Sequence, residues 1–290
     1  MAFIGPMLHA WSNIIDNHFS NKIFKRLEPV IFFSQVVGLC ILPIIILIDP
    51  PHFISIRAAG IILIIALIEV FYLFPYYYSL RHTDTSVVAS LFSLGKLFIP
   101  LSAFLFINEK LSVNQYLGFF VLTLSSVILS VDFKKRKLNR AFILMFIVSI
   151  LLSVESVLLK YLYQTGMGWG SSIFWLATFQ FLISACFFLN KKNINELPSA
   201  LKNIKSVCRL FLLTEILSWV GVLTANYALY LIPVSVAKGI SSTQPVFVLI
   251  YALLFAGFAP NMFKEYLGKD GILKKVILFI LTIIGVWLIS

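Results

Sequence analysis

Residues 30–48, VIFFSQVVGLCILPIIILI, run for 19 positions without a charge. At ~1.5 Å per helical residue such a run crosses the ~30 Å hydrocarbon layer of a bilayer. Backbone groups in lipid must find partners within their own segment, so the run must be helical. A transmembrane barrel is excluded, because its strands are ~10 residues long and alternate in polarity. Similar runs recur along the chain. Of its 290 residues 60% are hydrophobic and only 12% charged, and the mean hydropathy is +0.98. A soluble domain is nearer half apolar and a quarter charged. The excess is divided among separate long stretches, so it is not one oversized core. The expected fold class is an all-α polytopic membrane protein with no soluble domain of any size.

Ten spans are expected, over about 3–20, 29–48, 58–80, 86–107, 115–131, 141–163, 170–190, 208–231, 235–258 and 274–290. The first is the most polar, since it holds His9, Asn13, Asp16, Asn17 and His18. Of the 23 Lys and Arg residues, 18 fall in loops after odd-numbered spans, with basic clusters at 134–137 and 191–192. The opposite side has only Arg57 and Lys110. The positive-inside rule therefore puts the loops after odd spans in the cytoplasm and both termini outside. The net charge of +11 belongs to these short loops and not to a nucleic-acid surface. The expected setting is the cell membrane, multi-pass, with the lipid bilayer as partner. Residues 1–19 lack the basic start of a cleavable signal. Cys40, Cys186 and Cys208 form no disulfide or zinc pattern and read as buried small residues.

An internal repeat organises the chain. A shift of 149 residues aligns 78–106 with 227–255 without a gap, and nine of the 29 positions are identical. Chance in helices of this composition gives roughly three. The matched block lies in the third and fourth spans and again in the eighth and ninth. Each repeat then has five helices, 1–132 and 141–290. Because five is odd, the second repeat is inverted relative to the first. Inverted repeats enclose a central cavity near the bilayer midplane and work by alternating access.

Residues 76–122 contain an aromatic-rich helix end, the small-residue start S-x-x-A-S-L at Ser86, Ala89, Ser90 and Leu91, then Pro100 and F-L-F-I-N-E-K-L-S ending on Glu109, Leu111 and Ser112. This pattern resembles the EamA-type repeat of the drug/metabolite transporter superfamily. The second copy keeps the helix start and has Pro245, but AGFAPNMFKE replaces the acidic ending. The resemblance implies two inverted five-helix repeats and secondary transport of small organic solutes. It also implies cytoplasmic termini, the reverse of the charge bias.

A charge at the bilayer centre costs ~2.5–3.5 kcal/mol or more, so each one needs a purpose. Seven are expected within spans: Asp16, Glu69, Lys96, Glu155, Lys160, Glu215 and Lys238. In the first span His9, Asn13, Asp16, Asn17 and Ser20 form one stripe; in the sixth, Ser149, Ser153, Ser156 and Lys160 form another. Both stripes are expected to face the cavity, with an Asp16–Lys160 pair across the pseudo-twofold axis. A polar packing seam is the competing reading for the serines. In the third span Glu69 is followed by Tyr72 and Tyr76, and in the eighth Glu215 by Trp219 and Asn226. A carboxylate one turn from an aromatic ring suits an organic cation, a sugar-like solute or a coupling proton. An interfacial aromatic belt is the competing reading for Tyr76–Tyr78. Small residues at Ser86/Ser235, Ser90/Gly239 and Ser93/Ser242 allow close helix approach or leave room for substrate. Pro100 and Pro245 are expected to bend their helices as hinges.

No nucleotide loop, metalloprotease motif or nucleophile elbow occurs, so no enzyme activity, metal or cofactor is expected. The leading reading is a secondary transporter for a small organic metabolite such as an amino acid, organic cation or sugar-like solute. An integral-membrane enzyme or lipid-handling protein is the alternative, and a non-transporting scaffold is a third. Ten helices can enclose a pathway alone, and a homodimer is compatible with that.

Overall fold

The computed structural model describes residues 2–22, 28–82, 92, 95–130, 140–188, 195, 198, 202, 205, 207–255, 257 and 272–289. The ordered elements are α1 (Ile4–Lys22), α2 (Glu28–Ile48), α3 (Ile56–Phe71), α4 (Leu73–His82), α5 (Ile99–Ile107) and α6 (Val113–Ser130). They continue with α7 (Arg140–Gln164), α8 (Trp169–Phe188), α9 (Cys208–Leu231), α10 (Val234–Ser241), α11 (Gln244–Phe255) and α12 (Ile272–Ile289). Among the described residues there is no strand, and six helical runs are long and apolar enough to cross a membrane. Two of the six, Ile56–Arg81 and Val234–Phe255, each join two helical segments.

Local chemistry sets the helix ends. Ser55 opens α3 by accepting the Ala58 amide on its hydroxyl at 3.2 Å. α5 stops at Asn108, which takes the left-handed conformation with φ 53°. Ser112 and Gln115 then cap α6 reciprocally, at 3.0 and 3.3 Å. α7 ends ahead of Gly166, whose φ of +96° suits a residue without a Cβ.

The two prolines do not bend continuous helices. Pro100 lies in the first turn of α5, after a turn at Leu97–Phe98. Pro245 lies in the first turn of α11, after a turn at Ser242–Thr243. At the start of a helix a proline lacks only an amide that would have no partner anyway, so each opens a fresh segment instead of kinking an old one. The third interruption, at Tyr72, fits the same pattern, since Pro75 lies in the first turn of α4.

The molecule is apolar outside and polar inside. Leu47, Ile48 and Trp287 are 85%, 66% and 77% exposed, while Glu155 and Ser149 are only 4% and 2% exposed. An exposed apolar belt of this extent requires lipid around it. The three cysteines lie on this exposed surface and are not buried.

Helices from the two halves of the chain pack across each other. α1 packs on α9, and α7 on α3 and α4; α2 packs on α9, and α8 on α3; α1 packs on α11, and α7 on α5. α2 and α8 pair, as do α6 and α12. The last contact is a close one. A Cβ on Gly118 would stand 2.6 Å from the Ile289 nitrogen and 2.8 Å from the Gly285 oxygen, and one on Gly285 would stand 2.8 Å from Leu122 Cγ. Gly239 of α10 likewise faces Ile289 Cδ1 and Phe119. At this position the small residue serves close approach. Ser86, Ser90 and Ser93 lie outside the described residues.

A central polar cavity as candidate functional site

Side chains from both halves surround one cavity of about 320 Å³. Of the ten residues expected there, nine line it: Asp16, Glu69, Tyr72, Lys96, Glu155, Glu215, Trp219, Asn226 and Lys238. Asn17, His18 and Ser20 lie outside the residues whose side chains are described. The lining holds four carboxyl groups and two lysines. His9 joins them from α1.

One end is built from α1, α2, α4 and α9. Ser34 of α2 donates to Glu215 Oε2 at 2.6 Å. The Tyr76 hydroxyl donates to Asn13 Oδ1 at 3.1 Å and to Asp16 Oδ2 at 3.3 Å. Tyr76 and Tyr77 are 4% and 6% exposed and line the cavity, so they are not an interfacial belt. Tyr72 keeps helical angles and helical hydrogen bonds to Ile68 and from Tyr76, so the Tyr72 and Tyr76 rings stand one turn apart with centroids at 6.3 Å.

Deeper in, Gln180 of α8 donates its amide to Glu69 Oε2. Ser156 donates to Glu155 Oε2 at 3.1 Å. Lys238, Lys96 and His9 line the same cavity as Glu69 and Glu155. Two side-chain oxygens, Gln35 Oε1 and Gln180 Oε1, are buried without a protein hydrogen-bond partner. Gln35, Gln180 and Ser34 were not singled out in the sequence. Their one legible sign was a polar residue or adjacent pair in a long apolar run.

The serine stripe of α7 does two things. Ser149, Ser153 and Ser156 line the cavity, yet their hydroxyls bond backbone carbonyls. Ser153 also donates across to the Gly95 oxygen at 2.8 Å. Gly95 lies directly against Ser149, with no room for a Cβ, and this close approach carries the neighbouring Lys96 to the cavity.

Lys160 is the exception among the ten, and the expected Asp16–Lys160 pair is not formed. Its ammonium donates to the carbonyls of Leu229 at 2.9 Å, Tyr230 at 3.3 Å and Ile232 at 2.8 Å. Those oxygens end α9, where no following helical amide can take them, and a cation satisfies them best. The register of the α7 stripe is right, but the long side chain reaches along the helix to the turn instead of into the cavity.

Trp219 packs directly over Gly38, whose missing Cβ leaves the space for the indole; an added one would stand 2.7 Å from Trp219 Cε2. Gly38→Val is expected to push the indole out of position, costing about 1–3 kcal/mol by overpacking. A lowered melting temperature in detergent checks this, and an unchanged one counts against the packing described.

A multi-pass helical membrane protein with its polar groups gathered around an internal chamber is the class that fold and site define. Residues 14–131 match the model of the EamA-like transporter family, which belongs to the drug/metabolite transporter superfamily. A solved structure, described only as "Crystal structure of protein", is 15% identical; the match covers 99% of this chain and 95% of that one, with a TM-score of 0.65. That likeness is one of fold. No curated protein matches the sequence.

Proposed function

We propose that this chain is a secondary active transporter of ten spans in two inverted five-helix repeats, 1–132 and 141–290. It moves a small organic metabolite through the central cavity by alternating access. The observation that carries the reading is the cavity itself, about 320 Å³ and lined by both halves with four carboxyl groups and two lysines. Such a volume falls at the lower end of small-molecule sites. Charges in a bilayer are retained at a cost, and a solute pathway is their usual reason.

The helix pairings support the repeat. Exchanging each span with its equivalent in the other half turns α1–α9 into α7–α3/α4, α2–α9 into α8–α3 and α1–α11 into α7–α5. It leaves α2–α8 and α6–α12 unchanged. The four carboxyl groups outnumber the two lysines, which favours a solute carrying an ammonium group. The unpartnered oxygens of Gln35 and Gln180 offer such a solute two further acceptors. Lys96 and Lys238 suit a carboxylate on the same molecule. A buried carboxyl group such as Glu69 or Glu215 suits proton coupling.

The test is purified protein in vesicles with a radiolabelled panel of amino acids, polyamines, nucleosides and sugars. Uptake of an ammonium-bearing solute above empty vesicles, saturating with concentration, is the expected result. Folded protein that moves none of them, with no thermal shift by any, would overturn the reading.

A further inference from the structure

The turn between α9 and α10 is gripped by two oppositely charged side chains from other parts of the fold. Glu109, from the loop between α5 and α6, accepts the Val234 amide on Oε2 at 2.7 Å. Its Oε1 accepts the Ser235 amide at 3.0 Å and the Ser235 hydroxyl at 2.6 Å. Lys160, from α7, holds the carbonyls of Leu229, Tyr230 and Ile232 on the other side of the same turn. Glu109 and Lys160 are each only 8% exposed. A carboxylate on the first amides of a helix and an ammonium on the last carbonyls of the preceding one both match the helix dipoles.

The turn gripped in this way controls a short element. α10 has only eight residues and is cut from α11 at Ser242–Thr243. Its middle carries Lys238 to the cavity. Its outer face rests on α5, α6 and α12. The clamp fixes the end of α10 that leads from α9, and packing on α5, α6 and α12 holds the rest.

We infer that Glu109 and Lys160 form a latch on the α9–α10 turn that positions α10 and its Lys238, and that this latch must release for the cavity to open towards the face bearing that turn. This rests on the alternating-access reading above. Glu109 and Lys160 are positioning residues and touch no solute. Glu109 works on a helix of the other half of the chain.

The test uses full-length protein with Cys40, Cys186 and Cys208 replaced by serine and a single reporter, Ser218→Cys, in the cavity lining. A membrane-impermeant thiol reagent is applied to right-side-out and inside-out vesicles separately. Glu109→Gln and Lys160→Met are each expected to raise labelling from the turn face about tenfold and to lower it from the opposite face. Lys160→Arg, which can still reach the carbonyls, is expected to restore the parent pattern. General loosening would raise labelling from both faces, so the opposed change is specific to a shift between two states. Ser235→Ala removes one bond only and serves if Glu109→Gln does not fold, with a smaller change of the same sign. Labelling that rises from both faces, or does not change in any variant, would overturn the latch. A parent reporter sealed from both faces would instead sink the carrier reading.

Discussion

Glu215→Gln is expected to cut initial uptake by reconstituted protein roughly 10–100-fold, the loss of one charge-assisted hydrogen bond at about 1.5–3 kcal/mol. Glutamine keeps the shape and can still accept from Ser34, whose hydroxyl bonds Glu215 Oε2 at 2.6 Å. Yield and melting temperature should therefore stay close to those of the parent. Asp16→Asn is expected to act in the same way, because Tyr76 reaches Asn13 and Asp16 from one hydroxyl. The two substitutions together should fall well short of adding, since both act at one end of one cavity. The measurement is uptake at subsaturating solute with protein quantified in the vesicles. Uptake at the parent level in both single variants would remove this end of the cavity from the pathway.

Gly118→Leu is expected to be strongly destabilising. A side chain there meets backbone, the Ile289 nitrogen and the Gly285 oxygen, within 2.6–2.8 Å, and neither can rotate away. Overpacking of yielding side chains costs about 1–3 kcal/mol, and a clash with rigid backbone should exceed that. The α6–α12 pair would separate, and because it joins the two halves, folded yield should fall steeply. Gly60→Leu is the control, since nothing lies within 4 Å of a Cβ at Gly60. Size-exclusion chromatography and thermal unfolding in detergent read both. A monodisperse Gly118→Leu protein with the parent melting temperature would show that this approach does not hold the halves together.

Much of the site was legible in the sequence because ionisable residues within long apolar runs have few places to go. Lipid is closed to them, so Asp16, Glu69, Glu155, Glu215, Lys96 and Lys238 had to turn inward, and helical spacing alone placed Tyr72, Trp219 and Asn226 beside them. Lys160 obeyed the same rule and still went elsewhere. The first misleading factor was its reach, which lets an ammonium leave the level of its own Cα. The second was the unsatisfied carbonyls ending α9, which no pattern in α7 announces. Pro100 and Pro245 misled for a related reason. A proline marks a break in helical hydrogen bonding, but whether it bends a helix or begins one depends on the turn before it.

The sequence by itself determined that the chain lives in a membrane, that it is helical, and that it carries its charges inward, because the cost of bare backbone and bare charge in hydrocarbon leaves no alternative. The acidic motif ending on Glu109 was visible as a pattern and mute as to purpose. Only the tertiary structure decided that purpose, along with the partners of Lys160, the inward turn of Tyr76 and Tyr77, and the contributions of Ser34, Gln35 and Gln180. Each of these depends on which groups a distant helix presents at one depth, and helical periodicity fixes a residue's direction around its own axis but not what stands opposite.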